Sequence, residues 1–195
     1  MKPLIAGCLV LLGIAGLLVA VGAGGYNQLV GLDEGVDAAW SQVENVYQRR
    51  ADLIPNLVAT VQGASEFEQE TLTAVVEARA KASQVSFEGA PTAEQLAAFE
   101  QVQGSLSSAL SRLLVTVERY PELRSIQNFL DLQSQLEGTE NRIAVERGRF
   151  NDAAREFNTA RRRFPTVFLA NLFGFEEKPY FKATSGAEEP PKVEF

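Results

Sequence analysis

The sequence contains no histidine. That absence excludes Ser-His-Asp and Cys-His catalysis, histidine-ligated zinc, and the Glu-x-x-His di-iron sites of some helical bundles. The single cysteine, Cys8, excludes an internal disulfide and gives no information on the redox compartment. Positive charge is scarce as well, because 18 Lys and Arg stand against 25 Asp and Glu and leave a net charge of −7. Since phosphate backbones require a basic surface, we expect no nucleic acid among the partners.

Strand-like alternation, internal repeats and glycine-rich phosphate loops are also missing from the sequence. An enzyme would need carboxylates alone as its general acid and base. The acidic residues are interspersed with basic ones along helices, as on solvated helix faces. We therefore predict a protein without catalytic residues, cofactor or metal site.

One long uncharged run, Leu4 to Ala23, lies near the N-terminus. About 20 residues at 1.5 Å each span the hydrocarbon core of a bilayer, whereas the apolar region of a cleaved signal is shorter. The run predicts an uncleaved transmembrane helix within a membrane anchor of residues 1–30. Lys2 precedes the run and Asp33 and Glu34 follow it. The positive-inside rule therefore places the N-terminus in the cytoplasm and the remaining chain on the outer, periplasmic or extracytoplasmic side.

Small residues recur every four positions within the anchor, at Gly16, Ala20 and Gly24. Such a face lets two membrane helices approach closely, which makes it a candidate for helix association in a homo-oligomer. The alternative is that this spacing has no role in helix association, because glycine is frequent in membrane helices in general.

The stretch from Val36 to Val61 organises the rest of the chain. Its apolar residues recur at alternating steps of four and three, which places them on one face of a helix, here called its seam. The seam comprises Val36, Trp40, Val43, Tyr47, Arg50, Ile54, Leu57 and Val61. Pro55 offers the alternative of a break at Ile54, but the apolar phase continues through it and favours one kinked helix.

Three more amphipathic helices follow. The second begins at a Ser65-x-x-Glu68 capping box, the third at Thr92 with Gln95, and the fourth near Ser125. The third seam comprises Leu96, Phe99, Gln103, Leu106, Leu110, Leu113, Val117 and Tyr120. The fourth comprises Phe129, Leu132, Leu136, Thr139, Ile143, Glu146, Phe150, Ala153, Phe157, Ala160 and Phe164. The pattern predicts an all-α chain in which residues 31–164 form a long antiparallel four-helix bundle.

Each of the first and fourth seams carries one charge, Arg50 and Glu146. If Val36 lies level with Ala160, antiparallel packing places these two charges opposite each other. We predict a largely buried ion pair between Arg50 and Glu146. The alternative is that the Arg50 region binds a ligand or a partner.

The composition changes after residue 164, because six of the 12 phenylalanines lie from Phe164 onward. Disordered segments are poor in aromatics, so residues 165–195 are expected to pack on the bundle or on the membrane surface. A fourth helix that returns to the membrane brings this segment and the arginines before it to the lipid head groups. The predicted membrane-surface contacts are Arg161, Arg162, Arg163, Phe168, Leu169, Leu172, Phe173 and Phe175. For the arginines, an equal alternative is that they complement the helix C-terminus.

Several short motifs occur in order along the chain. They are Tyr26-Asn27, Leu29-Val30, Trp40, QRRADLIPNLV from Gln48 to Val58, Asn141-Arg142, Asn151, Asn158, Phe164-Pro165, Phe173-Gly174-Phe175, Phe181 and Pro191-x-Val193-x-Phe195. In these motifs the chain resembles the LemA proteins. The resemblance implies an N-terminal membrane helix, a soluble helical bundle and no known catalytic activity.

The expected function is a non-catalytic, membrane-anchored scaffold that self-associates and organises the bacterial envelope membrane or its membrane proteins. Its expected partners are membrane lipid, further copies of the chain and other envelope membrane proteins. The alternative is a membrane-tethered sensor or adaptor whose bundle binds a ligand or a partner protein. That function would need a polar cavity near Arg50.

Overall fold

The structure, a computed structural model, describes residues 2–63 and 68–182, apart from the side chains of residues 2–8, 10, 18 and 124. The helices of these residues are, in order, α1 (Lys2–Gln62), α2 (Gln69–Ala82), α3 (Ala93–Val117), α4 (Pro121–Arg124), α5 (Gln127–Arg162) and α6 (Thr166–Phe173). No strand occurs within the described ranges. The prediction of an all-α chain is confirmed.

The first helix, α1, is uninterrupted over 61 residues and is about 90 Å long at 1.5 Å per residue. It joins the apolar run to the predicted seam without a turn. It also continues through Pro55, because Ile54 and Leu57 are fully buried on either side and their packing offsets the lost hydrogen bond. Among the described residues, α1 is the one helix long and apolar enough to cross a membrane.

The seam predicted on α1 is buried along its whole length, with no member more than 7% exposed. It contributes to two clusters of buried residues. The distal cluster, far from the apolar run, unites α1 through α5 around Ile54, Leu72 and Leu113. The proximal cluster, nearer that run, joins α1, α3, α5 and α6 around Trp40 and Phe99. We call α1 from Leu29 onward, together with α2–α5, the helical body.

Two contacting pairs define the register between α1 and α5. Arg50 Nη1 lies 2.7 Å from Glu140 Oε1, and the rings of Trp40 and Phe150 lie 5.7 Å apart, so the residue numbers of both pairs add to 190. A constant sum means that the two helices run antiparallel. The predicted register, with Val36 level with Ala160, is wrong by about six positions.

A missed seam residue explains the difference. Leu29, seven positions before Val36, is fully buried, so the seam of α1 begins one heptad earlier than the sequence pattern suggested. A shift of about seven residues returns a helix to the same face. Hydrophobic periodicity therefore fits either register, and the extra buried turn at Leu29 decides between them.

The second and third helices are predicted with different accuracy at their starts. The N-cap of α2 is Glu68, and Ser65 of the proposed capping box lies outside the described residues. At α3 the predicted box is present, since Thr92 N donates to Gln95 Oε1 at 2.8 Å and Gln95 N donates to Thr92 Oγ1 at 3.3 Å.

The chain turns sharply after α5. Because that helix ends at Arg162, Phe164 lies in the turn before α6 and is 82% exposed, so its assignment to the buried seam is wrong. The α6 helix was not predicted as a helix. It ends at Phe173 and is capped by Gly174, whose φ of 74° is a left-handed conformation that glycine adopts without strain.

An extended segment, the C-terminal strap (residues 175–182), then runs back along α5. The side-chain amide of Asn158 bonds both backbone groups of Lys178, at 2.8 and 2.9 Å. Two helical turns away, Asn151 bonds Phe181 in the same way, at 3.0 and 2.8 Å. These amides satisfy backbone groups that an extended segment would otherwise offer to a neighbouring strand.

Candidate functional site

Arg50 forms the centre of a polar site inside the helical body. It lies on the buried seam of α1, and 1% of the residue is exposed. Its Nη1 donates to Ser107 Oγ at 2.9 Å and to Glu140 Oε1 at 2.7 Å. Its Nη2 donates to the side-chain oxygen of Gln103, and its guanidinium carbon lies 5.0 Å from the centroid of the Tyr47 ring. One arginine of α1 therefore links α1 to both α3 and α5.

The predicted ion pair between Arg50 and Glu146 is wrong. Glu146 pairs with Arg149, one turn further along α5, at 2.8 Å. Arg50 reaches Glu140 instead because the register of α5 is displaced by about one heptad. Arg50 is still a buried and paired charge, as its position on the seam predicts.

A cleft of about 620 Å³ lies over Arg50, between α3 and α5. The backbones of these two helices do not pack closely, so side chains form the walls of the cleft. Its charged lining residues are Arg50, Glu100, Glu140, Arg147 and Lys182. Arg147 Nη2 pairs with Glu100 Oε1 at 2.7 Å and also donates to the carbonyl oxygen of Lys182 at 3.0 Å.

The phenol of Tyr47 also lines this cleft. Burial raises the pKa of the Tyr47 hydroxyl above its ordinary value of 10.0, although the positive charges of Arg147 and Arg50 act in the opposite direction. The hydroxyl is therefore protonated at neutral pH and can donate a hydrogen bond.

The arrangement around Arg50 is suited to binding a polar ligand. It offers guanidinium, carboxylate, amide and hydroxyl groups, which recognise polar ligands. Ser107 Oγ accepts a hydrogen bond from the Arg50 guanidinium, a group that stays protonated and cannot act as a base. In the part of the chain that the structure describes, no group of three or more Cys, Asp or Glu side chains could hold a metal ion.

A second candidate region lies where the helical body meets the apolar run of α1. Phe168, Leu172 and Phe173, three of the predicted membrane contacts, are exposed by 65%, 75% and 56%. Arg162 and Arg163 are exposed as well. All five are exposed on the surface, although the Phe173 ring lies 4.8 Å from that of Tyr26 and Arg162 Nε donates to the carbonyl oxygen of Asn158.

The other predicted membrane contacts hold α6 in place. Arg161 Nε donates to the carbonyl oxygen of Phe175 at 2.7 Å, and the Phe175 ring lies 5.9 Å from that of Tyr26. Leu169 is half-buried against α1. A Cβ on Gly25 would lie 2.9 Å from Leu169 Cδ1, so the glycine lets α6 approach α1 this closely.

The small-residue face of the apolar run is uncovered. Gly16, Ala20 and Gly24 are exposed, and a Cβ on either glycine would meet nothing within 4 Å. At about 100° per residue, the three positions lie about 100–180° around the helix from Gly25, where α6 packs. The face is therefore open to a second helix.

Sequence reasoning missed the residues that surround Arg50. Gln103 is a polar member of the otherwise apolar α3 seam, and that signal could have identified it as a partner of a buried charge. Ser107 and Glu140 lie beside their seams and carry no such signal. The asparagines Asn151 and Asn158, which the sequence identifies only as part of the family motifs, bind the C-terminal strap.

Comparison with known proteins gives consistent family matches. Residues 39–195 match the model of the LemA family. Magnetosome protein MamQ 2 of Paramagnetospirillum magneticum is 27% identical over 184 residues, which cover 85% of this chain and 67% of the relative. Magnetosome protein MamQ of Magnetospirillum gryphiswaldense is 29% identical over 184 residues, with the same coverage. Protein LemA of Metamycoplasma hominis is 22% identical over 169 residues, which cover 87% of this chain and 74% of the relative.

Proposed function

The chain belongs to the LemA family, and we propose that it is a non-catalytic, membrane-anchored scaffold that self-associates. The observation that carries this proposal is the continuity of α1, which passes without a break from an exposed apolar run into a fully buried seam. Because one stiff helix would both cross the membrane and form part of the helical body, it would hold that body at a fixed distance from the membrane and at a fixed tilt.

The helical body would act as an antiparallel four-helix bundle of α1, α2, α3 and α5. The distal cluster supports this architecture, because all four helices contribute buried residues to it. A bundle of this kind offers long lateral faces to neighbouring copies or to other envelope membrane proteins. We further propose a cytoplasmic N-terminus, since Lys2 precedes the anchor and acidic residues follow it.

The register between α1 and α5 supports a membrane-surface role for the base of the bundle. It brings Arg162 level with Gln28, five residues beyond the end of the apolar run at Ala23. Five residues correspond to about 7–8 Å, which is the depth of the head-group layer. In this arrangement Arg162 and Arg163 would meet lipid phosphates, while Phe168 and Leu172 of α6 would enter the interface.

The position of α6 can be tested with the full chain in lipid nanodiscs. In a Cys8→Ser background, an environment-sensitive fluorophore attached through Leu172→Cys is expected to be quenched by nitroxide-labelled lipid and shielded from iodide. Val115→Cys provides the matched control, because Val115 is 64% exposed on α3, in the helical body away from α6. Equal access of iodide to both positions would contradict the proposed membrane contact.

Self-association can be tested by cross-linking in native membranes. Gly16→Leu and Gly24→Leu together are expected to remove most of the cross-linked oligomer, because two large side chains would separate the helices at the small-residue face. Gly22→Leu is the matched control, since Gly22 lies about 160° from the centre of that face and has open space around it. A wild-type protein that is monomeric at native abundance would refute the scaffold, whereas an oligomer that survives both leucines would place the contact on the helical body.

A second candidate function is a membrane-tethered sensor or adaptor. One observation favours it: the polar cleft over Arg50, which a purely structural bundle does not require.

A further inference from the structure

We infer that the cleft between α3 and α5 binds a small molecule with one carboxylate, which takes the place of Glu140 on Arg50. The inference rests on the sensor alternative and is independent of the scaffold.

The hydrogen bonding of Arg50 is incomplete. A guanidinium presents five N–H donors in a rigid planar fork. Nη1 and Nη2 of Arg50 have acceptors, but its buried Nε has none within the described part of the chain. A buried donor without a partner costs about 1–3 kcal/mol. A carboxylate in the place of Glu140 would accept from Nη1, and its second oxygen could accept from Nη2, because the two oxygens of a carboxylate match two N–H groups of a guanidinium; Nε would stay as it is.

The ion pair that occupies Arg50 is unequal in its burial. The Arg50 side chain is 2% exposed, whereas that of Glu140 is 46% exposed. Glu140 can turn into solvent and regain its hydration at small cost, but Arg50 cannot leave the interior. Arg50 is therefore fixed in place and needs an anionic partner, whereas its present partner, Glu140, can be replaced by another anion.

The charge of the cleft favours an anion. Three cationic side chains, Arg50, Arg147 and Lys182, face two anionic ones, Glu100 and Glu140. A ligand with one negative charge would balance this set. Glu140, once displaced from Arg50, would remain at the rim of the cleft, so a divalent anion would bring its second charge close to Glu140 and Glu100, and we assign a monocarboxylate.

The size and lining of the cleft also fit a small organic acid. Small-molecule sites commonly have volumes of about 300–1,000 Å³, and this cleft has about 620 Å³. Ile143 and the ring of Tyr47 provide apolar surface beside Arg50. The Gln103 amide and the Tyr47 hydroxyl supply polar groups that could orient the rest of the ligand.

Displacement of Glu140 would change a contact between helices outside the cleft. Arg50 joins α1 to α3 through Gln103 and Ser107, and to α5 through Glu140. A bound carboxylate would keep the link to α3 and remove the one to α5. Since α5 also carries the arginines near the membrane, occupancy of the cleft would alter how α5 is held against α1.

The test uses the full chain in nanodiscs and 4-fluorobenzoate, followed by fluorine NMR. We expect a dissociation constant of about 1 mM for the wild type. The neutral isostere 4-fluorobenzamide is expected not to bind, and empty nanodiscs correct for partition into lipid. Glu140→Gln removes the competing carboxylate and is expected to tighten benzoate binding about tenfold, because Arg50 is then left without an anionic partner.

Glu137→Gln is the matched control, since it removes the same charge from an exposed position on the same helix, outside the cleft lining. Its affinity is expected to equal that of the wild type. The inference is overturned if benzoate and benzamide bind alike, if Glu140→Gln gains nothing over Glu137→Gln, or if no variant binds. None of these results would change the cross-linking outcome that tests the scaffold.

Discussion

Trp40→Ala is expected to lower the free energy of unfolding by about 3–5 kcal/mol. Trp40 is 1% exposed, and its ring has neighbours in four parts of the chain, with centroid distances between 5.2 and 6.2 Å. Those neighbours are Phe87, Phe99, Phe150 and Phe181. Alanine would leave a cavity, and the four phenylalanine rings could not close it because they lie on different segments of the chain. Chemical denaturation of the detergent-solubilised full chain, followed by circular dichroism, measures the loss.

Trp40→Phe separates packing from hydrogen bonding at the same site. The indole Nε1 of Trp40 is buried without a hydrogen-bond partner among the described residues. Phenylalanine keeps most of the apolar volume and removes this unsatisfied donor, so we expect a loss of about 1 kcal/mol or less. Val115→Ala, at an exposed position, is expected to change stability by less than about 0.5 kcal/mol. Similar losses for Trp40→Ala and Val115→Ala would mean that Trp40 does not organise the proximal cluster.

The sequence pattern identified the faces of the helices but not their register. Every seam residue of α1 is buried, because a stripe with a 3.6-residue period has to meet another apolar surface. The same pattern repeats after seven residues and therefore fits two registers equally well. Leu29, which selects the observed one, lies six residues beyond the apolar run but within the predicted anchor of residues 1–30, so the sequence pattern assigns it to the anchor and not to the seam.

The partner of Arg50 could not be derived from seam positions. Glu140 lies next to Thr139 on α5, at the edge of the seam, and its side chain reaches Arg50 from there. Periodicity places the backbone of a residue on a face, whereas the reach of a long side chain depends on the neighbouring helix. Glu146 lies on the seam and is therefore the partner that periodicity predicts, although its carboxylate pairs with Arg149.

For the C-terminal region, the sequence predicted packing against another surface but not the conformation of the chain. Its aromatic content indicated packing, and Phe181 is indeed 5% exposed. The α6 helix is short and lacks a distinct polar face, so no helical period was visible in the sequence. The strap depends on two asparagines located 20 and 30 residues before their partners, a separation that local patterns do not reveal.

The two members of the Arg50–Glu140 pair are expected to contribute unequally to stability. Glu140→Ala leaves Arg50 charged and 2% exposed, and we expect a loss of about 3 kcal/mol, at the lower end for a broken buried pair because the cleft admits water. Arg50→Met leaves Glu140, which is 46% exposed and can hydrate, and methionine keeps much of the volume. Its expected loss is about 1–2 kcal/mol, mainly from the side-chain oxygen of Gln103, which loses its donor.

The double variant Arg50→Met, Glu140→Ala is therefore expected to be more stable than Glu140→Ala alone, because removing the arginine removes the uncompensated charge. Denaturation of the four proteins in one detergent gives the coupling free energy as a double-mutant cycle. Glu146→Ala serves as the control: although the Glu146 side chain is itself 15% exposed, its partner Arg149 is 69% exposed, and a pair with one member open to solvent is expected to contribute about 0–1 kcal/mol. Additive losses of stability for the two single variants would show that Arg50 does not depend on Glu140. A large loss for Glu146→Ala would show that Glu146, and not only Glu140, stabilises the core.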